Sequence, residues 1–253
     1  MKVNDILKNW KGERVCKNEQ QMNRPRVICH MMSTVDGRIA AENWGNKKKV
    51  KTLTTIYERC HESFRSQAWM VGRVTMEKHF AEGTKPQVAK GKHLVAKDAF
   101  VGDKKAKSFA IAVDAKGKLS WRSNEIEGDH IISLLTEQAG NAYLHYLQKK
   151  NISYIVSGKK ELDFKSAFKQ LHKLFPIQTI MLEGGGHING SLLNEGLIDE
   201  LSLLIAPLAD GTPQSPTTFD VSGHLRKKPA SPLYLSEVKQ LESDVIWLKY
   251  STK

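Results

Sequence analysis

The chain has few cysteines, and their arrangement does not suggest a metal site or a disulfide framework. Cys16, Cys29 and Cys60 are the only thiols in 253 residues, and they form no Cys-x-x-Cys pair. An odd and sparse count is typical of proteins in a reducing compartment. A chain of this length buries enough surface to fold without disulfides or a structural metal. We therefore expect no metal site.

Long apolar runs are also missing. No stretch approaches the roughly 20 apolar residues that a membrane-spanning helix requires. Residues 1–21 are polar and mixed in charge, without the apolar core of a signal peptide. The sequence also lacks the Gly-Lys-Ser/Thr of a P-loop, the Gly-x-Ser-x-Gly of serine hydrolases and the His-Glu-x-x-His of zinc proteases. We expect a cytoplasmic protein with chemistry other than these.

The chain has an excess of positive charge. It contains 39 basic and 27 acidic residues, which gives a formal net charge of +12. The basic residues form short clusters, mostly in expected loops and without interleaved aromatics: 47–49 with 51, 104–105 with 107, 149–150, 159–160 and 226–228. Solvated loops are the favoured interpretation. An anionic small ligand such as a dinucleotide or sugar phosphate comes second, and nucleic acid comes third.

Apolar runs between turn residues predict the strands. The predicted strands are 26–33, 68–72, 109–113, 130–135, 153–157, 179–182 and 201–207. Residues 233–241 and 245–250 are expected to form a terminal hairpin at the sheet edge. Residues 81–107, rich in glycine and lysine, predict mostly loop with one short strand.

Periodic apolar residues predict helices between most of these strands. Residues 52–66 carry one apolar face, a short helix begins near Thr75, and residues 138–149 form another. Asp163 is a good N-cap for the next helix, and the last helix ends near Glu195, before Gly196. Strand–helix alternation predicts a three-layer α/β/α sandwich with a mixed, mostly parallel sheet.

A glycine-rich turn is the strongest local motif. Gly184, Gly185 and Gly186 follow a buried strand, and a helix begins near His187 and Ile188. Without Cβ atoms the backbone can approach a ligand closely, and the N–H groups of a helix start favour phosphate. The motif is not the spaced Gly-x-Gly-x-x-Gly fingerprint. A tight strand–helix turn without a ligand is the alternative.

Two further motifs carry polar groups at strand ends. Ser33 ends the first strand and Asp36 lies in an Asp-Gly turn, so Asp36 is either an acid–base group or a turn cap. Arg73 and Thr75 follow the second strand and suit anion binding, including the extra phosphate of NADPH. The alternatives are a surface ion pair for Arg73 and an N-cap role for Thr75. His61 and His187 are interpreted as structural histidines.

In this order the motifs resemble the riboflavin-biosynthesis pyrimidine reductases, which share the dihydrofolate-reductase-like fold. The matching segments are residues 32–40, 71–75, 182–186 and 196–201, followed by Ala206-Pro207 and Gly211. The resemblance spans about residues 24–250. We therefore expect an N-terminal extension over 1–23 and a single reductase domain over 24–253. The zinc deaminase half of the bifunctional relatives is absent from this sequence.

The resemblance implies NADPH as hydride donor and a ribosylamino-pyrimidine 5′-phosphate as substrate, reduced at C1′ to a ribityl chain. It places Gly184, Gly185, Gly186, His187 and Ile188, with Arg73 and Thr75, at the cofactor. Glu183 and Arg65 would meet the substrate, with Arg65 at its phosphate. Asp36, Ser33 and Glu183 would lie at the reaction centre.

The resemblance also implies a homodimer, formed through the apolar strand 201–208 or the terminal hairpin. The chain departs from the bifunctional relatives because residues 77–84 lack their Asp-x-Pro-x-Leu-Thr segment. An NADPH reductase of another pterin or pyrimidine is therefore an alternative. So is a non-catalytic paralogue that binds a nucleotide or nucleic acid.

Overall fold

The computed structural model describes residues 23–89, 91, 94–221, 223 and 229–252. The expected N-terminal extension, apart from Asn23, lies outside these residues. Cys16 and the basic cluster at 226–228 lie outside them as well. No helix in the described part of the chain is long and apolar enough to cross a membrane.

A single mixed sheet runs through the described residues, with seven parallel strands at its centre. In chain order the strands are β1 Arg26–Ser33, β2 Ala68–Gly72, β3 Ala99–Phe100, β4 Phe109–Val113, β5 Glu125–Ile126, β6 Asp129–Leu135, β7 Ser153–Val156, β8 Thr179–Leu182, β9 Glu200–Ile205, β10 Tyr234–Gln240 and β11 Ile246–Ser251. The spatial order is β10-β11-β9-β1-β8-β2-β4-β6-β7-β3, and β5 pairs with β6. Strands β3, β5, β10 and β11 run antiparallel to their neighbours.

Helices cover both faces of this sheet and form three layers. They are α1 Lys47–Glu62, α2 Arg73–His79, α3 Gly140–Lys149, α4 Phe164–Leu174 and α5 Gly186–Asn194. The core under α4 and α5 uses Cys29 and Met31 of β1. The core under α1 uses Met32, from the opposite face, since strand side chains alternate. The predicted three-layer α/β/α sandwich with a mixed, mostly parallel sheet is confirmed.

The face that carries α1 has two separate apolar cores. Helix α1 packs over β1, β9 and β11, where Met32, Leu204 and Trp247 are buried together. Helices α2 and α3 pack over β2, β4 and β6, with Val71 and Ala110 in their core. Strand β8 lies between β1 and β2. The residue that follows β8 on this face therefore lies between the two cores.

Helix α1 begins five residues before the predicted start. Asn46 caps it by accepting a hydrogen bond from the Lys49 backbone N–H at 2.9 Å. The prediction was wrong because the first turn is all lysine and has no apolar periodicity. The cluster 47–49 therefore lies in a helix rather than in a loop. Helix α2 likewise begins at Arg73, so Thr75 is in its first turn and Gly72, not Thr75, is the N-cap.

The other elements agree with the prediction to within a few residues. Asp163 caps α4 by accepting from the Ser166 backbone N–H at 3.0 Å, and Gly196 has the left-handed φ of +67°. The terminal hairpin β10–β11 lies at the sheet edge as expected. Strand β9 is paired on both sides, so the alternative dimer contact through residues 201–208 has no free strand edge there. The two-residue strand β5 was not predicted.

Candidate active site

Glu183 directly follows the carboxyl end of β8, between the α1 core and the core under α2 and α3. The parallel register pairs Cys29 with Leu182, so Glu183 is level with His30 of β1. Its backbone N–H donates to the Met70 carbonyl of β2 at 2.9 Å. The carboxyl ends of parallel strands are the usual ligand edge of an open α/β sheet. Glu183 is therefore fixed at that edge from both neighbouring strands.

Two side chains of α1 hold the Glu183 carboxylate. The Tyr57 hydroxyl donates to Oε1 at 3.0 Å, and His61 Nδ1 lies 2.6 Å from the same oxygen. Burial lowers the pKa of His61, but the hydrogen bond and charge of Glu183 outweigh it, so the pKa lies above its ordinary value. A raised pKa favours the imidazolium, which makes the contact an ion pair.

A second histidine, His30, packs against Tyr57. His30 is fully buried and stacks on the Tyr57 ring with centroids 4.3 Å apart. Its Nδ1 lies 2.9 Å from the Ser202 hydroxyl, which also accepts from Trp247 Nε1 at 2.8 Å. Burial lowers the pKa of His30 to about 4. His30 is therefore neutral near pH 7.

The glycine turn begins directly after Glu183 and leaves backbone donors open. Gly184 has a φ of +102°, a region that favours glycine. Helix α5 starts at Gly186, and in the described part of the chain no protein acceptor pairs with the N–H groups of residues 184–187. A Cβ on Gly185 would meet only the Thr75 hydroxyl, at 3.7 Å. The turn therefore offers unpaired donors beside Thr75, as an anion site requires.

Gly186 needs its small size for a different reason. A Cβ at this position would lie 2.2 Å from Asp220 Oδ2 and 2.4 Å from the Thr217 carbonyl. Gly190, one turn further, would place a Cβ 2.6 Å from the Asp220 carbonyl. The Asp220 backbone N–H also donates to the Gly186 carbonyl at 3.0 Å. The absence of a side chain at Gly186 thus serves packing within the protein, and a ligand is not needed to explain it.

Arg73 and Thr75 lie beside this turn at the start of α2. The Gly72 backbone N–H donates to the Gly184 carbonyl at 2.9 Å, which joins the two segments. The Arg73 guanidinium forms an i,i+4 ion pair with Glu77, and both side chains are more than one-third exposed. Arg73 therefore takes the surface ion pair that the sequence left as an alternative, while Thr75 stays close to Gly185.

Asp36 is exposed and has several protein donors. Its carboxylate accepts from the Thr34 hydroxyl at 2.6 Å and from the backbone N–H groups of Asp210 and Gly211 at 3.1 and 2.9 Å. The Thr34 hydroxyl and these N–H groups hold its pKa well below the ordinary value. The backbone donors belong to residues 210–211 and not to the Asp-Gly turn itself, so Asp36 connects its turn to that segment. Ser33 is buried, and its hydroxyl donates to the Thr34 carbonyl at 3.1 Å.

Arg65 lies at the opposite end of β2 from Thr75. It has a left-handed φ of +49° and lines a cavity of about 280 Å³ with His61, Trp69 and Asp129. Trp69 Nε1 donates to Asp129 Oδ2 at 2.7 Å. His61 lines this cavity and also pairs with Glu183. Arg65 is therefore separate from the glycine turn. It lines the same cavity as His61, and His61 in turn contacts Glu183.

Comparison with known proteins identifies the family. The model of the RibD C-terminal domain matches residues 25–247, nearly the whole chain. The chain belongs to the RibD C-terminal domain family. It is 29% identical over 233 residues to the 2,5-diamino-6-ribosylamino-4(3H)-pyrimidinone 5′-phosphate reductase of Methanothermobacter thermautotrophicus. That match covers 91% of this chain and 99% of the relative.

Solved structures support the fold of this RibD C-terminal domain. A pyrimidine reductase-like protein from Corynebacterium diphtheriae is similar with a TM-score of 0.62 at 18% identity, covering 93% of this chain and 94% of that one. The riboflavin biosynthesis reductase Rib7 of Saccharomyces cerevisiae gives 0.57 at 18% identity, covering 94% and 92%. At these identities the likeness shows the fold.

Sequence reasoning missed three parts of this RibD C-terminal domain site. Tyr57 lies within the predicted apolar helix 52–66 but was not recognised as a polar contact, and His61 was interpreted as structural. His30 was not singled out at all. The available signal was the i,i+4 spacing of Tyr57 and His61 on the inward face of a predicted helix. Their shared partner lies more than 120 residues away, and no local pattern reveals that distance.

Proposed function

We propose that this chain is an NADPH-dependent reductase of a ribosylamino-pyrimidine 5′-phosphate in riboflavin biosynthesis, converting the ribosyl C1′ to a ribityl carbon. The observation that carries the proposal is the pair of features on either side of residue 183. A carboxylate held by Tyr57 and His61 adjoins a turn whose N–H groups have no acceptor among the described residues. The name of the 29%-identical relative supports this substrate class.

The residues of the glycine turn fit a dinucleotide. The pyrophosphate needs donors, and the N–H groups of residues 184–187 provide them at the start of a nine-residue helix. Gly185 has room for close approach, and Thr75 adds a hydroxyl beside it. Bound there, NADPH would supply the hydride, and the protein would supply position and charge. His187 and Ile188 would contribute through the first turn of α5.

Arg73 is the proposed contact for the phosphate that distinguishes NADPH from NADH. Its ion pair with Glu77 uses NH1, and a guanidinium has five donors, so others stay available. Because both side chains are partly exposed, rearranging this pair costs little. A preference for NADPH over NADH is therefore expected to depend on Arg73.

Glu183 and Arg65 are the proposed substrate contacts. Glu183 Oε1 has two protein donors, whereas Oε2 has no partner among the described residues. Oε2 is thus available for a hydroxyl or N–H of the substrate. Arg65 brings a positive charge to the cavity that His61 also lines, which suits the 5′-phosphate. Ser33, at the end of β1, and Asp36, just after it, would lie on the other side of the bound substrate.

Turnover with the named substrate class tests the proposal. The purified chain is mixed with 2,5-diamino-6-ribosylamino-4(3H)-pyrimidinone 5′-phosphate and NADPH, and the loss of NADPH absorbance is followed. We expect turnover with NADPH to exceed turnover with NADH by about tenfold or more, as an added charged contact provides. Absence of both turnover and NADPH binding, together with salt-dependent RNA binding, would instead favour the non-catalytic paralogue.

We also propose that the chain, folded as one domain over 24–253 and cytoplasmic, forms a homodimer through the terminal hairpin. Strand β10 is the outer strand of the sheet, and Leu233, Tyr234, Leu235 and Val238 are exposed on or beside it. An exposed apolar edge strand is a template for pairing with another chain. A Val238→Lys change is expected to shift the sedimentation mass from dimer to monomer; an unchanged mass places the contact elsewhere.

A further inference from the structure

Helix α1 presents two donors to a single oxygen of Glu183. Tyr57 and His61 lie one helical turn apart, and both meet Oε1, at 3.0 and 2.6 Å. The side chains of His61 and Glu183 are 21% and 15% exposed, so solvent screens the contact only weakly. Oε2 has no protein partner in the described part of the chain. One oxygen is fixed by the protein and the other is free.

We infer that Tyr57 and His61 are positioning residues that orient Glu183, with His61 acting in its protonated form. By fixing Oε1 they aim Oε2 at the substrate and keep the carboxylate anionic. This inference rests on the proposed reductase function. It concerns two residues that lie outside all the sequence motifs.

The hydrogen bonds of this network end at Tyr57, which has one proton for two acceptors. Trp247 Nε1–H donates to the Ser202 hydroxyl, and that hydroxyl donates to Nδ1 of neutral His30. The remaining His30 proton, on Nε2, then meets the Tyr57 carbonyl at 3.2 Å. The Tyr57 hydroxyl lies 3.0 Å from both Glu183 Oε1 and the His30 carbonyl, so these two acceptors share its single proton. Burial and the charge of Glu183 raise the pKa of Tyr57 well above its ordinary value, so it keeps that proton.

Charged groups from every neighbouring element act on His61. Glu183 faces it from β8, and Glu58 and Glu62 of α1 add negative charge that favours the imidazolium. His30 of β1 lies 6.1 Å away between ring centroids, and its charged form would oppose that of His61. Arg65 and Asp129 line the same cavity with opposite charges. Together these charges favour the protonated form of His61, and burial favours the neutral form of the neighbouring His30.

A histidine titration followed by NMR tests the pair without any turnover. In the wild-type protein the His61 signal is expected to titrate above pH 6.5 and the His30 signal near pH 4. In Glu183→Gln the His61 pKa should fall, because the desolvation remains while the negative charge is gone. A His61 pKa that is unchanged by Glu183→Gln would overturn the inference.

Kinetics of matched variants test the consequence for catalysis. His61→Gln keeps an amide donor but removes the charge, and we expect kcat to fall about 10- to 100-fold with NADPH affinity unchanged. Wild-type kcat should decline as the pH rises through the His61 pKa, and this limb should disappear in His61→Gln. Tyr57→Phe should lower kcat by about tenfold. The double variant should lose less than the product, because both side chains act on one oxygen.

His172→Gln is the control, since His172 lies on α4 at the other face of the sheet. It should keep the wild-type pH profile. A His61→Gln protein with wild-type kcat and an unchanged alkaline limb would contradict the inference. If the wild-type protein binds NADPH but reduces no ribosylamino-pyrimidine, the proposed substrate fails, while the NMR titration still decides whether the pair exists.

Discussion

Glu183 separates two regions that differ in how their polar groups are satisfied. Toward α1, the side chains of Tyr57, His61 and His30 each have a protein partner. Toward α5, the backbone N–H groups of residues 184–187 have no acceptor within the described chain. The first region uses its side-chain donors within the protein, whereas the second presents backbone donors of the kind that suit an anion. We therefore associate the α1 side with orienting the substrate and the glycine turn with binding the cofactor.

Glu183→Gln should have the largest effect on turnover, because Glu183 contacts Tyr57 and His61 and also directly precedes the glycine turn. The amide keeps the shape but loses the ion pair with His61, and Oε2 no longer carries negative charge. We expect kcat to fall by about 100- to 1,000-fold. Steady-state kinetics measure this loss, and NADPH affinity serves as the control because the glycine turn is unaltered. Near-wild-type turnover would remove Glu183 from the reaction centre.

Gly185→Asp tests the second region alone. A carboxylate beside the unpaired N–H groups would take the place of the pyrophosphate and repel it, and we expect NADPH affinity to fall by about 100-fold. Fluorescence titration measures the affinity. Gly185→Ala is the matched control, because a Cβ there meets only the Thr75 hydroxyl at 3.7 Å. Equal affinities for the Asp and Ala variants would show that the turn holds no phosphate.

Gly186→Ala should damage stability rather than cofactor binding at the turn. The added methyl would lie 2.2 Å from Asp220 Oδ2, so the segment 217–220 must move. Overpacking of this kind costs about 1–3 kcal/mol in the free energy of unfolding. Chemical denaturation measures this cost, and Gly185→Ala should change it by much less. A Gly186→Ala protein as stable as wild type would mean that this segment adapts freely.

The His61–Glu183 pair should also give a smaller, pH-dependent contribution to stability. The folded pKa of His61 is raised, so the stabilisation is fully present below its unfolded value of 6.5 and is lost as the pH rises through the folded value. We expect a difference of about 1 kcal/mol between wild type and His61→Gln at pH 6. The difference should shrink by pH 9 in denaturation measured across this range. A constant difference would exclude a charged pair.

Asp36→Asn should have the smallest effect on catalysis. Its pKa is held low, so the carboxylate stabilises the fold fully above its ordinary pKa of 3.8 and loses this effect only as the pH falls below it. The change should loosen residues 210–211 and lower kcat by about tenfold or less, without altering the pH profile between 5 and 8. A lost limb in that profile would restore Asp36 as a proton-transfer group.

The fold was largely predictable because its core elements are local patterns. Strands β1, β2 and β4 are apolar runs between turn residues, and Asp163 and Gly196 mark helix ends. The start of α1 was missed because its first turn is exposed lysine, where periodicity carries no signal. Asn46 would have indicated it.

The site was only partly predictable. Glu183, Thr75 and the glycines lie in motifs that follow strands, so their common edge follows from a parallel sheet. The partners of Glu183 come from a helix in another part of the chain. The reason for Gly186 is a contact with Asp220, 34 residues later and outside every motif. Such long-range contacts depend on packing, which a single sequence does not display.

Trp69 is placed to report substrate binding through its fluorescence, because it lines the cavity with Arg65. Among the described tryptophans Trp44, Trp121 and Trp247 are buried in the core, and only Trp69 is partly exposed. It lines the cavity with Arg65 and His61, and its indole N–H is bound to Asp129. A phosphate that enters beside Arg65 should therefore change the emission of Trp69, while the emission of the three buried indoles stays constant. Substrate binding can then be followed by tryptophan fluorescence in the unmodified protein, separately from hydride transfer.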